Sequence, residues 1–278
     1  HRTYKTLFID EASQALEPAA WIPIMKAGRV VMAGDHWQLP PTVKSREAAK
    51  EGLSETIFER TIAKWNADVM LEVQYRMHQE IMSFSNRKFY EGHLKSDSLV
   101  ASRRQLFNKT VSFIDTAGCG FDEKLNQETL STYNVEEARF VMKQLESILE
   151  QIASNDNGIL DIGIIAPYKA QTEVLRQLLA QQDWSNEVKK HITINSVDAF
   201  QGQERDVMII SLVRSNPNGE IGFLADERRM NVAMTRAKHL LVMVGDSATL
   251  SANPFFDELI QDMQQRNFYH SAFEYLYI

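Results

Sequence analysis

The chain is poor in cysteine: Cys119 is the single one in 278 residues. An internal disulfide is therefore excluded, and the thiol count points to the cytoplasm or another reducing intracellular compartment. Long apolar runs are missing as well. Stretches such as residues 240–244 fall far short of the roughly 20 residues that cross a bilayer, so no membrane is expected as a partner. Residues 1–10 lack an apolar core followed by a small-residue cleavage site, and no signal peptide is read there. Basic residues are in the minority, 30 Lys and Arg against 37 Asp and Glu, for a net charge of −7. That balance argues against indiscriminate coating of nucleic acid, yet leaves room for a local basic groove. Other absences narrow the chemistry. One cysteine and no H-E-x-x-H spacing leave no zinc site. There is no G-x-S-x-G elbow for a serine hydrolase and no conventional nuclease carboxylate cluster. Internal repeats and low-complexity tracts are also missing. What is present suffices for a core: 44% hydrophobic against 24% charged residues excludes general disorder. The length allows one large α/β domain, or one domain plus a piece of another.

Short apolar runs alternate with segments of helical period, which predicts a parallel sheet covered by helices. The runs are residues 6–9, 29–33, 69–73, 111–114, 162–166, 192–195, 207–213 and 240–245. Most end in polar residues, Gly or Pro, where α/β proteins place ligand-binding loops. The clearest helix starts at Asn134, an N-cap with Glu137 three residues later as a capping box. Behind it Ala138, Val141, Met142, Leu145, Ile148, Leu149 and Ile152 form one apolar stripe, read as core. Further helices are predicted at residues 55–64, 78–89, 171–181 and 254–265. Residues 94–108 and 117–132 are polar and poorly periodic, and read as surface loops or insertions. The first strand is apolar enough to need neighbours on both sides.

Five polar segments are placed for chemistry. In Leu7-Phe8-Ile9-Asp10-Glu11-Ala12-Ser13, two carboxylates end a buried strand. One can help hold Mg2+ on a nucleotide while the next orients or deprotonates an attacking water. In Gly34-Asp35-His36-Trp37-Gln38-Leu39-Pro40-Pro41, an amide stands three residues past Asp35. Gln38 can donate to a phosphate and accept from water, so it can sense γ-phosphate and nucleophile together. In Val73-Gln74-Tyr75-Arg76-Met77-His78, the planar fork of Arg76 can reach an anion. In the segment from Ser196 to Asp206, Gly202 permits close backbone approach to a phosphate and Phe200 sits among polar residues. In the segment from Arg228 to Lys238, Arg236 can offer charge to a transferring phosphoryl group. Taken singly, each has a plainer reading: an acidic strand end, a proline-stiffened turn, a surface ion pair, a solvent loop, a solvated basic helix. His36 and His78 read as local hydrogen-bonders rather than catalytic bases.

In order and spacing, the five segments resemble motifs II to VI of superfamily 1 helicases, in the branch of the nonsense-mediated-decay and Okazaki-fragment helicases. The resemblance covers essentially the whole chain outside the two loops. It implies a RecA-like parallel sheet with flanking helices, of the P-loop NTPase type, made of the second motor domain and a remnant of the first. Residues 1–67 would be the C-terminal part of the first RecA-like domain, with motifs II and III. Residues 68–278 would be the second, with motifs IV to VI. Asp10 would help hold Mg2+, Glu11 would serve as the base for water, and Gln38 would sense the γ-phosphate. Arg76 and Arg236 would be arginine fingers toward ATP, with Gly202 and Glu204 facing the nucleotide. Ala166-Pro167-Tyr168-Lys169-Ala170-Gln171 resembles the family's Pro-Tyr segment, so Tyr168 and Lys169, with Ser196 and Asp198, would lie near a single strand. A helicase motor also needs a P-loop, G-x-x-x-x-G-K-[ST]. Only Gly158 and Gly163 have the right separation, and Gly163 is followed by Ile164 in an apolar strand. The expectation is therefore the C-terminal part of an ATP-dependent helicase or translocase on single-stranded DNA or RNA, moving 5′ to 3′ as the resemblance implies. Alone it would be inactive, and its partner would be the missing N-terminal motor half. The alternative is a non-catalytic nucleic-acid-binding or regulatory module that kept the fold.

Overall fold

The computed structural model describes residues 2–65, 67–101, 106–155 and 158–276. The chain divides into two compact units, His1–Leu71 and Glu72–Ile278. In the first unit, strands β1 (Leu7–Ile9) and β2 (Val30–Met32) run parallel, with Phe8 opposite Val31. Between them lies helix α1 (Glu17–Ile24), which has Pro18 in its first turn, where a missing N–H costs nothing. Helix α2 (Ile57–Trp65) follows β2 and buries Phe58. It begins close to the expected residue 55, and Thr56 opens it by exchanging hydrogen bonds with Glu59. Residues 69–73, expected as a strand, are corrected: Val69 and Leu71 are exposed and carry no ladder. Their apolar side chains find no neighbouring strand among the described residues. Pairing begins only at Val73–Gln74, which runs parallel to Lys95–Ser96 in the second unit.

The second unit is built on six parallel strands: β3 (Val111–Asp115), β4 (Ile162–Ile165), β5 (Ile192–Asn195), β6 (Arg205–Ser211), β7 (Ala237–Gly245) and β8 (Tyr269–Ser271). Their order across the sheet is β8-β3-β7-β6-β4-β5. Continuous apolar runs suit strands covered on both faces, and β4 and the inner part of β6 are fully buried. Helices α3 (Gln79–Phe89), α4 (Val135–Ser154), α5 (Lys169–Gln181), α6 (Glu227–Met234) and α7 (Pro254–Gln265) flank it. His78 caps α3, its Nδ1 accepting from Glu80 N, which fits the local role read for it. Asn134 caps α4, its side chain accepting from Glu137 N. The reciprocal half of the expected capping box is not made, because the Glu137 carboxylate turns inward to Ser211 and Val213. Two expected loops also hold structure. Residues 117–132 contribute to an antiparallel pair, Lys124–Leu125 with Thr132–Tyr133. Residues 94–108 include Lys95–Ser96 and a short helix, Ser98–Ala101, while residues 102–105 lie outside the described residues. Strand β8 escapes pattern reading because Tyr-His-Ser is polar, and its place is set by backbone pairing to β3. Among the described residues, no helix is long and apolar enough to cross a membrane.

Candidate functional site

In the first unit the acidic pair sits on the turn that leaves β1. Glu11 adopts a left-handed backbone, φ 50°, a conformation that costs a non-glycine residue roughly 1–2 kcal/mol. Three contacts hold that turn. Ala12 N donates to Ala33 O at 2.8 Å, Asp10 Oδ1 accepts from Glu11 N at 3.0 Å, and Gln14 donates to Glu11 Oε2 at 2.7 Å. The turn after β2 is tied to it, since Asp35 N donates to Ser13 Oγ at 3.3 Å. Asp35 then organises its own loop, with Oδ1 accepting from Trp37 N at 2.9 Å and Oδ2 from Gln38 Nε2 at 2.8 Å. Asp10, Glu11 and Gln38 are thereby presented on adjacent turns at one end of a two-stranded sheet. A lone exposed carboxylate such as Asp10 fits Mg2+, which takes one or two protein carboxylates and completes its shell with phosphates and water. Among the described residues, no cluster of three or more His, Cys, Asp or Glu forms a metal cage.

In the second unit, Arg76, Glu204 and Arg236 come together at the end of the sheet where the central strands β6 and β7 begin. Arg76 Nε donates to Glu204 Oε2 at 2.8 Å, and its Nη1 donates to Thr235 O at 3.2 Å. Lys238 Nζ lies 3.1 Å from Glu204 Oε1 and 3.8 Å from Asp206 Oδ1. Burial opposes the Glu204 charge, but hydrogen bonds from Arg76 and Lys238 hold its pKa below the usual carboxylate range. Arg236 is only 2% exposed. Its Nε donates to Val232 O at 3.1 Å and its Nη1 to Gln203 O at 3.4 Å. Gly202 takes φ 69° with open space around it. One extra residue on β7, between the pairs Arg205–Ala237 and Val207–Leu240, bends the ladder beside this cluster. The loop carrying Arg76 is folded around Gln74. The Gln74 Oε1 accepts from Arg76 N at 2.9 Å and Met77 N at 2.7 Å, while its Nε2 donates to Met77 O and Ser96 Oγ, both at 2.8 Å.

The expected strand-facing residues lie past the opposite ends of the strands. Tyr168 follows β4 and is buried. Its hydroxyl accepts from Arg214 Nη1 at 3.1 Å and Phe223 N at 3.2 Å, and donates to Ile221 O at 3.2 Å. Its place is thus to hold loops together behind the surface. Lys169 opens α5 with its side chain 83% exposed. Ser196 and Asp198 follow β5. Asp198 is exposed and 3.8 Å from Arg229, which pairs with Asp226 at 2.6 Å. Two segments run between the two ends of the sheet: the connection from Ser196 to Glu204, and α6 from Asp226 to Thr235. The latter spans eight helical residues, about 12 Å.

Pattern reading passed over a buried polar network. Glu137, Asn134, Gln171 and Ser211 are all buried. Glu137 Oε1 accepts from Ser211 Oγ at 2.5 Å and from Val213 N at 2.9 Å, while Gln171 Nε2 donates to Ser211 Oγ at 2.9 Å. Burial pushes the Glu137 carboxyl up to about 7 against the hydrogen bonds from Ser211 and Val213, with the charge of Asp246 adding to the rise. A signal was present: Glu137 stands four residues before Val141, inside the apolar stripe. The network anchors Val213, held at φ 73°, and so fixes where Arg214 leaves β6. Arg214 Nε then pairs with Glu123 at 2.8 Å.

Comparison with known proteins adds to this geometry. Residues 53–248 match the AAA domain family, and residues 1–46 match a second family of the same description, AAA domain. The chain is similar to the mouse DNA-binding protein SMUBP-2, at 39% identity over 98% of this chain and 28% of that protein. It is similar to an ATP-dependent helicase of Methanocaldococcus jannaschii, at 38% identity over 93% of this chain and 38% of that protein. A third relative is the DNA polymerase alpha-associated DNA helicase A of Saccharomyces cerevisiae, at 39% identity over 89% of this chain and 39% of that protein. The chain spans between 28% and 39% of the length of these relatives.

Proposed function

The chain belongs to the AAA-domain family of superfamily 1 helicases, and we propose that it is the C-terminal part of an ATP-dependent motor. That motor couples ATP hydrolysis to 5′-to-3′ movement on single-stranded DNA or RNA. In this reading residues 1–67 complete a first RecA-like domain, and residues 68–278 form the second. The observation that carries it is the pair of segments spanning the second unit. The Ser196–Glu204 connection and α6 each begin beside the strand-facing surface and end beside the arginine cluster. Each is short and packed on the sheet, so a displacement at one end is carried to the other.

The residues divide the work by position. ATP with Mg2+, when bound, supplies the phosphoryl group that is transferred to water, and Asp10 would help hold the ion. Glu11 accepts the proton of the attacking water, and Gln38, oriented by Asp35, donates toward the γ-phosphate. Arg76 is the more accessible finger, and Glu204 with Thr235 O keeps its planar fork aimed while the site waits for an anion. Arg236 is held by the carbonyl of Val232 in the helix before it and by that of Gln203 on the Ser196–Glu204 connection, so a small shift of either segment re-aims its charge. Glu204 and Gly202 face the nucleotide between them. Lys169 offers a cation to the strand's phosphates, and Ser196 and Asp198 offer hydrogen-bonding groups.

The test is ATP hydrolysis by the 278-residue chain, with and without single-stranded DNA or RNA, and with Glu11→Gln as the blank. The expected result is no turnover above the blank, because no P-loop grips the phosphates. Strand-stimulated turnover that Glu11→Gln abolishes would overturn the half-site reading. In a motor completed by a P-loop-bearing segment, Arg236→Ala should lower kcat roughly 10³-fold or more, the scale for losing an arginine finger. Unchanged kcat in that variant would sink the finger assignment.

A further inference from the structure

We propose that Phe223 is a stacking platform for a base of single-stranded nucleic acid, a site that extends the strand-facing surface assigned above and rests on that reading. Phe223 is 64% exposed. A single exposed apolar side chain is ordinary on a protein surface. This one differs in how much buried structure is committed to holding it. It lies on the short turn Gly222–Ala225, whose flanking residues Ile221 and Leu224 are buried. The Tyr168 hydroxyl clamps the turn from behind, accepting from Phe223 N and donating to Ile221 O, both at 3.2 Å. Arg214, itself buried, donates to the same hydroxyl at 3.1 Å. Burial opposes the Arg214 charge, and hydrogen bonds from it to Glu123 and Tyr168 more than restore it. The Tyr168 ring meets the Phe223 ring edge-on, centroids 5.5 Å apart at 60°. Gly222 sits at φ 55°, and a Cβ there would lie 2.3 Å from Arg214 Nη1 and 2.6 Å from the Tyr168 hydroxyl. Only glycine lets the turn close this tightly over the clamp.

The result is an aromatic face whose position is fixed before any ligand arrives. Such pre-ordering lowers the entropy lost on binding. Around it stand the groups that a strand requires. Lys169 follows Tyr168 directly, its side chain exposed and 3.8 Å from Glu173, a solvated pair that a phosphate can replace. The Asp226–Arg229–Asp198 chain of ion pairs links the end of the turn to the segment bearing Ser196 and Asp198. An aromatic ring beside a cation on an exposed surface suits a base and its backbone, and every base has a face to stack, so the contact tolerates any sequence.

The test is fluorescence anisotropy of the whole chain with a labelled single-stranded oligonucleotide, and with the same strand carrying abasic positions. Phe223→Ala should weaken binding to the normal strand about tenfold, leave the abasic strand unchanged, and leave the salt dependence of binding unchanged. Phe223→Trp should restore binding, and its fluorescence should be quenched by the normal strand more than by the abasic one. Lys169→Ala should instead reduce the slope of log affinity against log salt by about one unit on both strands. Equal loss on normal and abasic strands, or unchanged binding by Phe223→Ala, would overturn the stacking role while leaving the surface assignment standing. A wild-type chain that binds neither strand would overturn the surface reading and the stacking role together.

Discussion

Strands β1 and β4 are both short, apolar and followed by a turn that carries proposed functional residues, yet they live in different surroundings. Phe8, at the centre of β1, is 75% exposed, while Ile164 of β4 is 0% exposed. The cause is the number of neighbours. Among the described residues β1 pairs with β2 alone, whereas β4 lies between β5 and β6 and is packed into the buried core that α4 covers. The two turns are accordingly held by different forces. The acidic turn of the first unit keeps its shape through hydrogen bonds from Ala12 N to Ala33 O and from Asp35 N to Ser13 Oγ. The Tyr168 turn of the second unit rests on the buried Tyr168 ring and a buried guanidinium. An apolar strand therefore states what covering it requires, and geometry at its end is precise only to the extent that the covering, or a local hydrogen-bond lattice, is supplied.

The sharpest way to break this contrast is truncation of the two strands. Ile164→Ala removes fully enclosed methylenes and leaves a cavity, which should cost about 2–5 kcal/mol. Phe8→Ala removes a ring that is mostly in water, and should change stability by no more than about 0.5 kcal/mol. Urea denaturation of both variants reads the difference. Equal losses would mean that β1 is covered in solution by something other than the residues around it here.

Titration sharpens the contrast from inside the second unit. The Glu137 carboxyl is raised from 4.5 to about 7, first by burial. A group whose folded pKa exceeds its unfolded value binds its proton more tightly when folded. Its contribution is therefore fully present below pH 4.5 and is lost as pH rises through about 7. At about 1.4 kcal/mol per unit, the loss across that window is about 3 kcal/mol. Denaturation midpoints at pH 5 and pH 8 should show it in the wild type, and Glu137→Gln should flatten the slope. Slow hydrogen exchange should place the loss in β4, β6 and β7, with β1 and β2 unaffected. A wild-type slope that persists in Glu137→Gln would assign the titration to another group.

Legibility in the sequence followed the same division. Five strands of the six-stranded sheet were readable because continuous apolar runs such as residues 162–166 and 240–245 announce strands buried on both faces. The run at 69–73 looked no different, but burial needs a partner strand, and periodicity carries no record of one. Strand β8 was invisible for the opposite reason, since its pairing is made by backbone groups common to every residue. Among the proposed site residues, motif order identified Arg76, Glu204 and Arg236, which the fold does bring together. It could not say that Tyr168 faces inward, because Tyr168 and Lys169 are consecutive residues and only the packing of Ile221 and Arg214 decides which is covered. Glu137 was visible as an N-terminal helix residue, and its position on the apolar stripe was the clue to its burial.

A loss smaller than those expected for Ile164→Ala and for Glu137 tests whether the first unit's lattice is as tight as its sparse core is loose. A Cβ on Gly34 would lie 2.9 Å from Ser13 N and 3.1 Å from Ala12 N. Both are backbone atoms, so no side-chain rotation relieves the contact and the two turns must move apart. Gly34→Ala should then cost about 1–2 kcal/mol, within the usual range for overpacking and below the Ile164→Ala loss. The damage should be local: faster hydrogen exchange at Ala12 and Asp35, whose amides cross between the turns, with β4 unchanged. If those amides exchange as in the wild type, the turns are not locked together. The alignment of Asp10 and Glu11 with Gln38 would then have to come from whatever else packs on β1.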